Sequence, residues 1–215
     1  MRSISWRTYA AAFVISAFLF TFGIMVGLFL TQGISQQLEQ DLSLLQSHTN
    51  ELEVLLLSDT NKNQTLCQFY QSTLKNFDDE TTGFGVKLES LENTRGRLDS
   101  YVQRLKRDYM LKQVRDFLLI KHTDQQCKSQ TPTLLYFYTN SCLDCTKQGL
   151  VGPSLKKTHP ELMIYAFDVD LNTTLVQAFQ QLYGINSYPS VVLNGNTFTG
   201  YQSQDTIESL LVRKN

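Results

Sequence analysis

One stretch of this sequence decides the fold: residues 133–147, TLLYFYTNSCLDCTK. Residues 133–138 are apolar or β-favouring, which predicts a short strand buried on both faces. Cys142 and Cys145 follow directly, and a helical pattern comes after them. Because two residues separate the cysteines, both sulfurs fall within the first turn of one helix. The stretch therefore predicts an α/β domain with a close cysteine pair at a strand-to-helix junction.

The residues that follow alternate between strand and helix patterns. They predict a strand over residues 163–170, a helix over 172–183, a strand over 190–193, a short strand over 197–201 and a closing helix over 203–213. Asn194-Gly195 between two β runs is a strong signal for a hairpin turn. The resulting order, βαβαββα over residues 130–215, has one parallel crossover followed by an antiparallel hairpin.

Residues 130–213 resemble a thioredoxin-like domain in four features. These are the strand leading into Cys142-Leu143-Asp144-Cys145, the strand Phe167-Asp168-Val169-Asp170, Tyr183-Gly184-Ile185 before a loop, and Tyr188-Pro189 opening the next strand. The resemblance implies a thiol-disulfide oxidoreductase that uses Cys142 and Cys145 as its redox pair, with a cis Pro189 packed beside them. It also implies that the partners are protein thiols or disulfides. The sequence carries no signal for a nucleotide, haem, flavin or metal site, so we expect no cofactor.

The position of each cysteine suggests its role. Cys142 lies at a helix N-terminus, where the helix dipole and free N–H groups stabilise a thiolate. Cys145, one turn further along, would then resolve the mixed disulfide. Asp144 joins the predicted site because its carboxylate disfavours a nearby thiolate. Tyr136 stands where many thioredoxins carry a buried acid, so proton transfer to Cys145 would need water, Asp144 or substrate. The direction of electron flow stays open.

The other two cysteines, Cys67 and Cys127, stand apart from this pair. The simplest interpretation is a structural disulfide that joins the preceding helical region to the entrance of the α/β domain. Such a bridge would stabilise the fold by about 4 kcal/mol in the chain-entropy model. The alternatives are a second redox pair that relays electrons and a four-cysteine zinc site, although a zinc site usually draws on two close pairs.

The N-terminal region predicts a membrane anchor. No side chain from Thr8 to Leu38 is charged, and residues 9–30 are almost entirely apolar, which is enough to span a bilayer as a helix. Arg2 and Arg7 precede this segment and acidic residues follow it, so the positive-inside rule places residues 1–8 in the cytoplasm. We expect a single-pass anchor in the cell membrane with the C-terminal domain outside. A cleaved signal peptide is the alternative, although its apolar core is usually shorter.

Residues 31–128 lack proline and carry apolar residues at helical spacing, which predicts an α-helical neck of antiparallel helices. Polar breaks at 58–63 and 78–85 predict a short second helix and a third one from about residue 84 to 121, with Gly96 as its weak point. Self-association as a coiled coil is the alternative to a hairpin. The first helix carries a heptad seam of Ile34, Leu38, Leu42, Leu45, Thr49, Leu52 and Leu56, and the third carries a stripe of Leu88, Leu91, Leu98, Val102, Leu105 and Tyr109.

Composition narrows the classes of function. Hydrophobic residues make up 42% of the 215 residues, which supplies enough apolar surface for a core. The net charge of −1 leaves no positive field for nucleic acid, so nucleic acid is not an expected partner. The thioredoxin-like resemblance instead implies protein partners, including a redox partner in the membrane. Two other functions fit the same residues: a docking module whose cysteine pairs are both structural, and a metal chaperone, which would lack the usual Met or His ligands beside the pair.

Overall fold

The computed structural model describes residues 6–58 and 64–212 of the chain. Three long helices come first, α1 (Trp6–Ser58), α2 (Gln64–Arg95) and α3 (Ser100–Cys127), and an α/β region follows. Its elements are β1 (Thr133–Tyr138), α4 (Leu143–Thr158), β2 (Met163–Asp168), a 3-10 turn (Val169–Leu171), α5 (Thr174–Tyr183), β3 (Ser190–Leu193), β4 (Asn196–Thr199) and α6 (Gln204–Val212). The chain divides into two compact units, Met1–Asp41 and Leu42–Asn215.

The four strands form one mixed sheet in the order β2-β1-β3-β4. Strand β1 runs parallel to β2 and antiparallel to β3, and β3 pairs with β4 as a hairpin. This confirms the predicted mixed sheet with helices between its strands. Strand β2 ends at Asp168, earlier than predicted, because the Asp168 side chain accepts the Asp170 N–H and starts the 3-10 turn.

Helices cover both faces of the sheet. On one face, side chains of β1 and β2 such as Phe137 and Phe167 pack with residues of α3 and α5, including Phe117 and Phe179. On the other face, β1 and β3 pack against α4 and α6, where Leu155 and Ile207 are buried. Helix α3 therefore belongs to the core around the sheet. The α3 residues that pack there, Met110, Val114, Phe117 and Ile120, follow the stripe predicted from the sequence, whose last residue is Tyr109.

Helices α2 and α3 form an antiparallel hairpin, since the Cys67–Cys127 disulfide joins the beginning of one to the end of the other. The turn between them begins at Gly96, whose φ of +91° is in the region that favours glycine. Asp99 then caps α3 by accepting the N–H groups of Tyr101 and Val102. The prediction of one helix running through Gly96 was wrong. Leu98, expected on the buried stripe, lies in this turn and is 85% exposed.

The predicted break at residues 78–85 was also wrong, because α2 is continuous there. A Cβ on Gly85 would lie 2.8 Å from the Tyr109 hydroxyl, so this glycine admits a side chain of α3 and does not end the helix. The Tyr109 hydroxyl donates to the Thr81 carbonyl at 2.9 Å, and Lys112 Nζ donates to Thr81 Oγ1 at 2.8 Å. Contacts with α3 thus stabilise a helical conformation in residues 78–85, whose sequence had predicted a loop.

The first helix begins with the apolar segment. Tyr9–Gly27 is long and apolar enough to cross a membrane, and its side chains are exposed. In the second unit, Leu42 and Leu45 of the predicted seam are buried, and His48 contacts Glu80 of α2 at 3.3 Å. Several predictions fall outside the described part of the chain: Arg2 and residues 59–63, together with the side chains of Arg7, Ile34, Thr49, Leu52, Leu56 and the predicted second helix.

Candidate functional site

The cysteine pair lies at the start of α4. Cys142 and Cys145 are joined by a disulfide, with their Cα atoms 5.2 Å apart. Cys142 is the N-cap residue, and its Sγ accepts the backbone N–H of Cys145 at 3.0 Å. Cys142 is half-buried, whereas only 3% of Cys145 is exposed. An incoming thiolate therefore reaches Cys142 more readily, and a thiolate formed there benefits from the helix N-terminus.

Tyr136 of β1 is hydrogen-bonded to the first turn of this helix. Its hydroxyl donates to the Cys145 carbonyl at 2.5 Å, and its ring stacks on Tyr138 with 5.2 Å between centroids. Burial raises the pKa of Tyr136 well above its usual value, so the hydroxyl stays protonated and keeps donating. Tyr136 therefore holds the backbone of Cys145 and supplies no carboxylate to accept a proton from its thiol.

Asp144 lies between the cysteines and forms an ion pair with Lys147 at 2.8 Å. Both side chains are more than half exposed, and the hydrogen bond and charge of Asp144 raise the pKa of Lys147. Water and this cation both reduce the repulsion that Asp144 exerts on a nearby thiolate. Sequence reasoning missed Lys147, although its spacing of three residues within one helix is the signal for such a pair.

The loop before β3 lies at the same end of the sheet. Ser190 pairs with Phe137 across β3 and β1, so Pro189 lies beside the end of the strand that leads to Cys142. The Tyr188–Pro189 peptide bond is cis, and Pro189 is buried. The Pro189 carbonyl accepts the Gly200 N–H at 2.8 Å, and Ser190 Oγ donates to the Ser187 carbonyl at 2.7 Å. These bonds fix the loop between its neighbouring segments.

The loop between β1 and Cys142 is held by acidic residues at the end of β2 and just after it. Asp170 accepts the backbone N–H of Asn140 at 2.8 Å, and Asp168 accepts the backbone N–H of Asp170 at 3.1 Å. The buried Asp168 carboxylate is paired in turn with Lys106 of α3 at 2.6 Å. The sequence contained these acids in the quoted Phe167–Asp170 motif, but nothing in its pattern indicated the lysine from a distant helix.

The second disulfide joins Cys67 of α2 to Cys127, the last residue of α3, with Cα atoms 5.7 Å apart. Both residues are partly exposed. The bridge closes the open end of the hairpin opposite its Gly96 turn, as a structural disulfide would. Among the described residues, no three or more His, Cys, Asp or Glu side chains are grouped so as to hold a metal ion.

Comparisons with known proteins give low similarity. No protein-family model matches the chain, and no curated protein matches it. Among solved structures, a mutant thioredoxin from Halobacterium salinarum is 26% identical over 39% of this chain and 74% of its own, with a TM-score of 0.34. The oxidised thioredoxin from Plasmodium falciparum is 18% identical over 44% and 90%, with a TM-score of 0.33. A structure described as a malarial protein is 21% identical over 39% and 97%, with a TM-score of 0.35. These TM-scores are too low to assign a family.

Proposed function

We propose that this protein is a membrane-anchored thiol-disulfide oxidoreductase whose α/β region, residues 130–215, is a thioredoxin-like domain. The observation that carries the proposal is the Cys142–Cys145 disulfide at the N-terminus of α4, in which Cys142 is half-buried and Cys145 is buried. A purely structural bridge has no need of this asymmetry. The arrangement separates the sulfur that meets the partner from the sulfur that completes the exchange.

The reaction is a two-electron exchange. A partner thiolate attacks Cys142 Sγ, a mixed disulfide forms, and the Cys142–Cys145 bond breaks with Cys145 leaving as a thiolate that takes up a proton. A second partner thiolate then attacks the mixed disulfide at the partner's own sulfur and releases Cys142. The partner leaves with a disulfide and the pair is left as a dithiol. The reverse sequence reduces a partner disulfide, and the relative potentials of the two pairs set the direction.

The membrane part of the proposal is a single-pass anchor in the cell membrane, with residues 1–8 in the cytoplasm and the second unit outside. Its support is the exposed apolar helix Tyr9–Gly27 and the arginines that precede it. The Cys67–Cys127 disulfide also fits an exterior location, because disulfides persist in oxidising compartments. The partners would be protein thiols or disulfides that lie close to the membrane surface, including those of a membrane redox protein.

Trapping of mixed disulfides tests this function. In a Cys145→Ser variant of the full chain, Cys142 lacks its resolving thiol, so partner proteins should accumulate as adducts that a reductant releases. A Cys142→Ser variant is the matched control because it keeps one cysteine but loses the accessible one. Equal trapping by both variants, or by neither, would favour the docking module with structural disulfides.

A further inference from the structure

The loop before the cysteine pair is connected to the α2–α3 hairpin by a chain of short polar contacts. Lys106 Nζ of α3 lies 2.6 Å from Asp168 Oδ2 and 3.0 Å from Glu92 Oε2 of α2. The other oxygen of Asp168 accepts the Asp170 N–H at 3.1 Å, and Asp170 Oδ2 accepts the Asn140 N–H at 2.8 Å. Asn140 is two residues before Cys142. The chain of contacts therefore begins on the hairpin and ends at the redox loop.

The three charges at the hairpin end of this chain of contacts are largely shielded from water, whereas Asp170 at the loop end is exposed. The exposed fractions are 9% for the Lys106 side chain, 4% for Asp168 and 15% for Glu92. Lys106 is paired with both acids, and Arg97 adds a second cation 3.3 Å from Glu92, so two cations balance the two carboxylates. Removing Lys106 would leave the buried Asp168 carboxylate without its cation, and such a carboxylate moves towards water or takes up a proton.

We propose that Lys106 is a positioning residue for the redox pair. The proposal rests on the oxidoreductase function given above. By pairing with Asp168, Lys106 keeps this carboxylate in place to cap the 3-10 turn, and the turn directs Asp170 at the backbone of Asn140. The loop in turn fixes where Cys142 meets the N-terminus of α4. The α2–α3 hairpin thus helps to position the redox pair.

A second contact supports this coupling from the tip of the hairpin. Arg97, next to Gly96 in the α2–α3 turn, has its guanidinium 3.4 Å from the Asn140 carbonyl. Asn140 is therefore contacted from two directions, by Asp170 at its N–H and by Arg97 at its carbonyl. The side chain of Asn140 adds longer contacts of 3.4 Å to both oxygens of Asp168. Movement of the hairpin would be transmitted to the residue that precedes Ser141 and Cys142.

The test is the equilibrium of the Cys142–Cys145 pair with glutathione in the full chain, measured for the wild type, Lys106→Met and Lys106→Arg. Loss of Lys106 releases the Asp168 and Asp170 contacts that fix Asn140, so Cys142 is no longer held at the N-terminus of α4, where the helix dipole stabilises its thiolate. Lys106→Met should therefore shift the equilibrium towards the disulfide by at least about threefold, equal to about half a pKa unit of a thiol. Lys106→Arg keeps the charge and should restore the wild-type constant to within about twofold, a difference of about 0.4 kcal/mol.

The matched control is Lys156→Met, which also removes a partly buried cation paired with an acid, Asp78. Lys156 lies 14 residues after Cys142, or about 20 Å along a helix with a rise of about 1.5 Å per residue. It should lower the unfolding temperature without moving the glutathione equilibrium. If Lys106→Met and Lys156→Met lower stability alike and neither moves the equilibrium, Lys106 is only structural and the proposal is overturned.

Two further arms keep the test decisive. Asn140→Pro removes the N–H that Asp170 accepts together with the side-chain contacts to Asp168, in a loop outside the helices and strands. It leaves Lys106 in place, and it should shift the glutathione equilibrium in the same direction if Lys106→Met does not fold. An unchanged equilibrium in a folded Asn140→Pro variant would contradict the proposal. Failure of the oxidoreductase function itself is visible separately, because the wild-type pair would then have a reduction potential as low as that of structural disulfides, below the range of exchanging pairs.

Discussion

Lys112 and Asp116, one turn apart on α3, form an ion pair at 2.5 Å that is almost completely buried, with side-chain exposures of 1% and 4%. The pair lies beneath α2, where Lys112 also donates to Thr81. Burial lowers the pKa of Lys112, and the charge and hydrogen bond of Asp116 oppose this shift. The pair therefore fixes the contact between the hairpin helices. Replacing only one of its two residues should lower the free energy of unfolding strongly.

Removing one partner of this pair should destabilise the protein strongly. Lys112→Met leaves the buried Asp116 without its cation, and we expect the free energy of unfolding to fall by about 3–5 kcal/mol. The double variant Lys112→Met/Asp116→Leu should recover most of that loss, because a buried ion pair is commonly no more stable than an apolar replacement. Urea unfolding measures both. The exposed Lys157→Met serves as control, with an expected change below about 0.5 kcal/mol.

Asp78 gives a prediction for pH. Burial raises the pKa of Asp78 above 3.8, although the hydrogen bond and charge of Lys156 lower it in part. Above pH 3.8 the folded state therefore holds this proton more tightly than the unfolded state does. Wild-type stability relative to Asp78→Asn should be greatest below that pH and should fall as the pH rises through the raised pKa. Unfolding curves of both proteins across this range would contradict the assignment if their difference were constant.

The charges beside the cysteine pair give two opposite expectations. Asp144→Asn should make the Cys142–Cys145 pair more oxidising, because it removes a negative charge from the neighbourhood of the thiolate. Lys147→Gln should make it less oxidising, because Asp144 then loses its cation. Since both groups are exposed, each glutathione constant should change by only about twofold to threefold. Shifts of the same sign in both variants would show that the Asp144 charge is not what acts on the sulfurs.

The Cys67–Cys127 bridge should contribute stability and not electron transfer. Replacing both cysteines by serine should lower the free energy of unfolding by about 4 kcal/mol, because the bridge closes a long loop. Exchange at Cys142–Cys145 with a small disulfide should keep its wild-type rate at a temperature where the variant is folded. A large loss of exchange in the folded variant would instead indicate that electrons pass through the second pair.

The cysteines can test the proposed orientation of the anchor. If the second unit lies outside, as proposed, a membrane-impermeant thiol reagent should label the reduced Cys142–Cys145 pair on intact cells. Cys142→Ser/Cys145→Ser is the control for labelling elsewhere. Labelling that requires lysis of the cells would place the domain in the cytoplasm and overturn the proposed location.

The sequence predicted the sheet well, because its signals are local. The apolar run of β1, the Asn194-Gly195 turn and the spacing of the helices between strands each depend on neighbouring residues. It failed where distant residues decide the outcome. Gly85 looked like a helix breaker, yet it is the residue that lets the Tyr109 hydroxyl approach. An apolar stripe shows that a helix face is buried but not what it faces, so the packing of α3 on the sheet was not predicted.

In the candidate site, too, the residues that are close in sequence were predicted and those from distant parts of the chain were not. The two cysteines and Asp144 follow one another in sequence, and their spacing placed them together at the start of a helix. Lys106 is separated from Asp168 by 62 residues, and a lysine in a helical pattern normally indicates a solvated face. Only the packed structure shows that it is buried and paired. The same holds for the Arg97 contact with the loop.

The reduction potential of the Cys142–Cys145 pair in the full chain tests the proposed oxidoreductase function most directly. Equilibration with glutathione buffers of known potential, followed by thiol trapping and mass measurement, gives this value while peptide mapping follows Cys67–Cys127 separately. We predict a potential above about −270 mV, in the range of exchanging pairs. A potential below about −300 mV, with both pairs oxidised under the same conditions, would mark the CxxC as a structural disulfide and contradict the proposed function.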